Sequence, residues 1–377
     1  MEASIPLTKE EEQMSHLPNP DAHIEPITGL DINPDFGMPD SPMERNRLIA
    51  ILEEHKSVFS DGLDGSVLDV PPLEIADEYI NEFHGVPLRH RYSQHKKLII
   101  ETWLAKMLKD KLIMKSKSKT LSPLVVASNG RVTIDARALN EVIPRIHTQI
   151  PVREDELFAL DGGSIFGKFD LLAAYYQIPA DVKLRELFAF SCHMGNFQFT
   201  DRLPLGEANT PGYFCNIMRD ILSDLPASYP SYFDDVFVKA STPTEFVNNV
   251  EALLVKMKSV GGKFSKWKTR LGYSSIEALG FITDGKTYTP LPALQHKFTD
   301  MAFPTQKTLN TWLGLVNCFH SFIPDLATHL NAFSIFARKN APKIEQTEEL
   351  LTAFDNINKL IDNLEKLNFP IKGEEHF

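Results

Sequence analysis

The chain has 377 residues, 43% hydrophobic and 24% charged, a globular mix that excludes a wholly disordered or collagen-like protein and leaves room for two to three modules. No run reaches the ~18 consecutive apolar residues of a membrane span, and Met1 to Glu12 lacks the basic and apolar regions of a signal peptide, so a cytosolic or nuclear, unsecreted protein is expected. The formal net charge of −11 argues against a polyanionic partner, yet residues 1–85 hold 19 Asp/Glu against 4 Lys/Arg while residues 86–137 hold 12 Lys/Arg against 3 acidic residues, a local candidate for phosphate binding or a solvated basic face. Cys192, Cys215 and Cys318 are too few and scattered for a disulfide framework or zinc site and read as reduced core thiols.

In chain order, residues 1–41 are acidic and proline-rich and are expected to form a flexible arm. Residues 42–85 contain a short helix carrying Leu48, Ile51, Leu52 and Val58, then a proline-rich connector. Ser93 caps a predicted helix with Ile100, Trp103, Leu104, Met107 and Leu108 on its apolar face. Leu124–Ala127 and Val132–Ile134 read as strands joined by Asn129-Gly130, a hairpin signal. Ser164–Phe169 and Asp201–Leu203 read as strands, and Thr210–Leu222 and Thr244–Val260 as helices. Between those helices, Tyr232 to Val238 is an apolar hairpin with Asp234 and Asp235 at its tip. Leu309, Trp312, Leu313, Val316 and Ile323 share one face of a long helix in the tail.

Adjacent carboxylates in an apolar hairpin repel each other unless a cation neutralises them, and magnesium favours such oxygen donors. Asp170, at the end of the strand from Ile165, converges with Asp234 if the strands pair, a geometry suited to two ions ~3.5–4 Å apart. Taken alone, an aspartate pair is also an ordinary turn.

The segment Lys168-Phe-Asp170-Leu-Leu-Ala-Ala-Tyr175-Tyr-Gln-Ile-Pro179 resembles the first catalytic motif of reverse transcriptases, most closely those of gypsy-type long-terminal-repeat retroelements and pararetroviruses. Further blocks resemble the family in order: Ser122 to Val126, Ile134 to Asn140, Leu203 to Pro211, Tyr232 to Asp235, Ala278 to Phe281, and Leu313 to Pro324. The resemblance covers residues 45–345. It implies an α+β right-hand polymerase, with residues 86–160 mainly fingers, 161–290 mainly palm including a primer-gripping hairpin, and 291–377 a helical thumb or connection.

By the same resemblance Asp170, Asp234 and Asp235 are the metal-binding, catalytic carboxylates of a reverse transcriptase using two Mg2+ ions, with Mn2+ a substitute. Nucleotide binding falls to Arg131, Tyr175, Leu205 and Gly206, Tyr175 acting as a steric gate against ribose. Nucleic-acid contacts fall to Tyr232, Phe233, Lys268, Leu279 and Gly280, and Arg137, like Lys268, holds a family position similar to that of Arg131 with a weaker claim. The partners implied are an RNA or DNA template with its primer and deoxynucleoside triphosphates, in a homodimer or a parent polyprotein, in the cytoplasm, virus-like particles or nucleus. The turn is shortened to Ala127-Ser128-Asn129-Gly130 where the family carries lysines just before its arginine, so a triphosphate contact is expected to be missing, and Glu207 is expected to add negative charge near the polyanion. The chain reaches Phe377 without room for a ribonuclease H domain, so a polyprotein portion or a stand-alone derivative is expected. A scaffold that binds nucleic acid or protein without turnover, and an unrelated two-metal phosphotransferase such as a nucleotide cyclase, are the competing readings.

Overall fold

Leu48, Ile51 and Leu52 recur at helical spacing and form the buried stripe of a helix that Pro42 opens, because proline's fixed φ suits the first turn. The computed structural model describes residues 22–63, 65–86, 91–338 and 341–370, so Arg89 and the expectation for residues 1–21 lie outside the described residues. Two compact units are present, one extending to Ala159 with Ile165–Tyr273, the other comprising Leu160–Ser164 and the chain from Ser274.

The first unit runs through β1 (Asp31–Ile32), α1 (Pro42–Glu54), β2 (Phe59–Ser60), α2 (Asp77–Glu82), α3 (Gln94–Lys109), β3 (Ile113–Lys115), β4 (Ser122–Val126), β5 (Val132–Ile134), α4 (Arg137–Val142) and α5 (Arg153–Phe158). It continues with β6 (Ile165–Asp170), α6 (Leu184–Leu187), β7 (Ala189–Cys192), β8 (Gly195–Phe199), α7 (Thr210–Ser223), β9 (Ser231–Tyr232), β10 (Asp235–Ala240), α8 (Pro243–Ser259), β11 (Phe264–Ser265) and β12 (Arg270–Tyr273). One five-stranded sheet has the order β1-β12-β6-β10-β9, and another the order β3-β8-β7-β4-β5. In the second sheet the Asn129-Gly130 turn joins β4 to β5 as its sequence predicts, with Gly130 at φ +88°.

The first of these sheets is built on the pairing of β6 with β10. Both strands are rich in apolar residues, and α8 covers the face carrying Gly167. A Cβ at Gly167 would lie 3.1 Å from Phe246 on α8 and from Leu271 on β12, so glycine permits that close approach. Thr242 caps α8 by accepting the Glu245 amide, and Ser93 caps α3 by accepting the Lys96 amide. On α3, Ile100, Leu104 and Met107 are buried, Trp103 is half-buried, and Leu108 is exposed, one step off the apolar face predicted for it.

Two further expectations for this unit change. Residues 22–41 are not a free arm: Leu30, Ile32 and Phe36 are buried, and β1 pairs in parallel with β12. Asp31, 3% exposed, accepts from Arg270 Nε at 2.9 Å, the Tyr273 hydroxyl at 2.5 Å and the His23 amide at 2.9 Å. Buried, hydrogen-bonded charge here overrides acidic composition. Asp201–Leu203 is not a strand, since proline at 204 and the buried Arg202 leave only an isolated bridge from Arg202 to Pro179.

The second unit contains β13 (Ile276–Ala278), β14 (Phe281–Thr283), β15 (Thr287–Pro290), α9 (Pro292–Thr299), α10 (Leu309–Asn317), α11 (Leu326–Ser334), α12 (Glu348–Asp362) and β16 (Leu367–Asn368). Its sheet has the order β13-β14-β15-β16, and its core is organised by Trp312, whose ring lies 4.7 Å from Phe333 and 5.8 Å from Phe354. The long tail helix is interrupted: α10 ends at Asn317, and a single 3-10 turn, His320–Phe322, precedes Pro324. Sequence grouped Ser274–Pro290 with the palm, whereas this segment belongs to the unit containing the C-terminal helices. Cys192 and Cys215 are buried free thiols as expected, but Cys318 is partly exposed. Among the described residues no helix is long and apolar enough to cross a membrane.

Asp31→Ala removes one partner of a buried, charge-assisted network and is expected to lower unfolding free energy by about 2–4 kcal/mol. Urea denaturation checks this, and a loss below about 0.5 kcal/mol would mean that β1 is not integral to the sheet.

Candidate active site

The register of β6 with β10 sets Asp170 directly opposite Asp235, and the β9–β10 pairing sets Asp235 opposite Tyr232. Phe233 and Asp234 therefore form a two-residue turn. Phe233 has φ +51°, which a bulky L-residue adopts at an energetic cost of about 1–2 kcal/mol. The Tyr232 and Phe233 rings meet edge-to-face at 4.7 Å, and the Asp234 carbonyl accepts the Leu171 amide at 2.6 Å, fastening the turn to the end of β6.

All three predicted carboxylates thus meet at one end of two strands, and the structure adds two lysines. Lys168 Nζ lies 2.8 Å from Asp235 Oδ2, and Lys268 Nζ 3.2 Å from Asp170 Oδ2. Burial raises the Asp170 carboxyl to about 7, opposed by Lys268 and reinforced by the charges of Asp234 and Asp235. Burial also raises Asp235, with Lys168 opposing. Burial works against the Lys168 ammonium, but Asp235 outweighs it and keeps the lysine above its ordinary value.

Asp234 is exposed at the turn. Among the described residues, no three side chains of the His, Cys, Asp and Glu types are arranged as a ready-made metal cage. The donor chemistry nevertheless fits a hard divalent ion, which is commonly held by one or two carboxylates plus substrate phosphates. The ammonium on Asp170 stands where such a cation would compensate the charge.

Tyr175 sits on a 3-10 turn, Ala174–Gln177, entered through Ala173 at φ +48°. Its ring packs edge-to-face on Phe214 at 5.6 Å. Burial pushes the phenol well above its ordinary range, Asp234 adding to the shift and Arg131 opposing it, so these three residues share one electrostatic neighbourhood. Two residues with no role assigned from sequence hold this turn. Gln177, 1% exposed, donates Nε2 to the carbonyls of Leu172 (2.7 Å) and Lys263 (2.9 Å) and accepts the Lys263 amide at 2.8 Å. Arg202 donates to the Tyr176, Gly65 and Ser66 carbonyls at 3.0, 3.0 and 3.2 Å. Their sequence signal is a polar residue embedded in an apolar run.

Gly206 has φ +111°, and a Cβ there would lie 2.8 Å from the Ile134 carbonyl oxygen, so glycine brings this loop against β5. Leu205 packs at the edge of the apolar core. Glu207 departs from its expected role: at 2% exposure it accepts the amides of Asn209 and Thr210 and the Thr210 hydroxyl, capping α7. Arg131 is exposed beyond the β4–β5 turn, whereas Arg137 forms a bidentate pair with Asp135 at 2.8 and 2.7 Å.

Leu279 and Gly280 lie in the second unit. They form a two-residue turn between β13 and β14 with φ +57° and +88°, the mirror-image turn suited to a tight hairpin.

Residues 83–283 match the family model "Reverse transcriptase (RNA-dependent DNA polymerase)". The chain is 28% identical over 276 residues to the enzymatic polyprotein of Figwort mosaic virus (strain DxS), covering 70% of this chain and 41% of that protein. It is 26% identical over 296 residues to the retrovirus-related Pol polyprotein from transposon 297 of Drosophila melanogaster, covering 75% and 28%. The chain therefore spans less than half of either relative's length. A structure of the foamy viral protease-reverse transcriptase with double-stranded DNA has TM-score 0.76 at 22% identity, covering 88% of this chain and 59% of that one. A second, with an RNA/DNA hybrid, has TM-score 0.76 at 21% identity, covering 88% and 45%. The fold is that of a right-hand polymerase.

Because the folded chain keeps the Asp170 proton to a higher pH than the unfolded chain, stability is expected to fall as pH rises from about 4 to about 7. Urea midpoints of metal-free protein across that range check the sign, and Asp170→Asn is expected to flatten the dependence. Gln177→Leu leaves the Leu172 carbonyl and the Lys263 amide unpaired, the Lys263 carbonyl keeping the Leu172 amide, and is expected to cost about 2–4 kcal/mol, read in the same assay; an unchanged midpoint would exclude its clamping role.

Proposed function

From the premise that this chain belongs to the reverse transcriptase family, we propose that it adds deoxynucleotides to the 3′ hydroxyl of a primer paired with an RNA or DNA template. The observation that carries this reading is the convergence of Asp170, Asp234 and Asp235 beside Tyr175 and Arg131 in a right-hand fold. Asp170 and Asp234 are the principal donors for divalent cations, two Mg2+ with Mn2+ a substitute, and Asp235 supports them. When bound, the ions supply activation of the hydroxyl and neutralisation of phosphate charge.

The chain's own residues do the positioning. Arg131, exposed beside the turn, attracts the triphosphate. Gly206 and Leu205 form a close-packed wall for the nucleotide. Tyr175 is braced by Phe214 and by the Gln177 clamp, so its ring gives little way to a ribose 2′ hydroxyl. Tyr232 and Phe233 face the primer end, Lys268 contributes positive charge to the nucleic acid, and the Leu279-Gly280 turn holds the primer. The family's partners, template with primer and deoxynucleoside triphosphates, follow from this reading, as does a setting in the cytoplasm, virus-like particles or nucleus. The foamy viral relative is solved with double-stranded DNA and with an RNA/DNA hybrid, which supports a duplex partner.

The test is primer extension on poly(rA)·oligo(dT) with Mg2+ or Mn2+. Extension is expected from the parent and a loss of at least about 100-fold from Asp234→Asn with Asp235→Asn. Tyr175→Ala is expected to admit ribonucleotides. Duplex binding that weakens with salt but is never followed by extension would defeat the polymerase reading and leave a binding scaffold.

A further inference from the structure

The three carboxylates are not equivalent, and the difference lies in the cations that meet them. Side chains alternate along β6, so Lys168 and Asp170 share a face. Across the register, Asp235 stands opposite Asp170 and Phe237 opposite Lys168, which makes Lys168 the diagonal neighbour of Asp235. Its ammonium closes that diagonal at 2.8 Å and lies 5.7 Å from the Phe237 ring centroid.

The Lys168 side chain is 24% exposed and that of Asp235 20%, so the pair is held from strand to strand and partly removed from water. Lys268, by contrast, reaches Asp170 from the loop between β11 and β12, at 3.2 Å and with a side chain 41% exposed. That contact is longer and more readily exchanged for another cation. Asp234 forms no side-chain ion pair among the described residues. One carboxylate is therefore committed, one is loosely countered, and one is uncommitted.

Resting on the reading that this centre binds divalent cations, we propose that Lys168 is a positioning residue. It acts as the internal counter-ion of Asp235, withdrawing that carboxylate from the donor set and leaving Asp170 and Asp234 to hold the metal. A lysine is an uncommon choice inside an apolar central strand, and packing against Phe237 alone would be served by an apolar side chain. Its charge has a use only if Asp235 must be neutralised in place. Without it, three like charges would share one strand end, and the third carboxylate would turn toward the ion.

The test is Mn2+ binding to the full chain, followed by electron paramagnetic resonance of free Mn2+, with circular dichroism to confirm folding. Lys168→Met is expected to tighten Mn2+ about tenfold, because a positive charge leaves and Asp235 becomes available. Lys168→Arg is expected to bind as the parent does. Asp235→Asn alone is expected to weaken binding, since Lys168 is then uncompensated, whereas the double variant Lys168→Met, Asp235→Asn is expected to return within about threefold of the parent. Asp170→Asn is expected to abolish binding in every background.

If the double variant stays as weak as Asp235→Asn, Asp235 is itself a ligand and the proposal falls. It falls equally if Lys168→Met leaves the affinity unchanged, or if the parent binds no Mn2+. Should Lys168→Met fail to fold, the comparison of Asp235→Asn with the neutral double variant still decides, because replacing both partners of an ion pair is tolerated better than removing one. A parent that binds Mn2+ but never extends a primer defeats the polymerase reading and leaves this proposal standing.

Discussion

Pairing β6 with β10 in antiparallel register forces Asp170 and Asp235 to face each other at one end of a sheet, with Asp234 on the adjoining turn. Like charges brought together in this way destabilise the sheet unless something compensates them. The compensation comes from Lys168 and Lys268, on β6 and in the loop before β12. The raised Asp170 carboxyl shows that it is incomplete, because burial outweighs the nearby ammonium. Unneutralised carboxylate oxygens at this point are the groups that the proposed divalent cations would meet.

The backbone around that point is correspondingly constrained. Ala173 and Phe233 both adopt positive φ, and each belongs to a segment singled out by its likeness to a polymerase motif. Such conformations persist only where the surroundings over-determine them. Around Ala173 and Tyr175 those surroundings are visible: Gln177 satisfies three backbone groups and Arg202 three more. Buried polar side chains thus hold the turn that carries Tyr175, which is what the proposed steric gate requires.

Charge acquires a different meaning once the chain is folded. Part of the acidic N-terminal stretch becomes a strand of the sheet that carries Asp170 and Asp235, where Asp31 neutralises Arg270. Glu207 is consumed in capping α7, and Arg137 is matched by Asp135. The free positive charge is therefore smaller than the count of basic residues implies, and in the proposed function more of the electrostatic work would fall to Arg131.

The sequence by itself determined much. Motif order identified the family, apolar periodicity located α1, α3, α7 and α8, Asn129-Gly130 marked a hairpin, and Asp170, Asp234 and Asp235 stood out because carboxylates in apolar strands need a reason to be there. These features are local, written within a few residues of one another. Tertiary structure alone decided what depends on partners distant in the chain. Lys168 meets Asp235 through strand register, Gln177 meets Lys263, Arg202 meets Gly65 and Ser66, and Asp31 meets Arg270 and Tyr273. Hydrogen bonds and ion pairs that span tens to hundreds of residues leave no periodic trace, because their free energy depends on geometry that exists only after the sheet has formed.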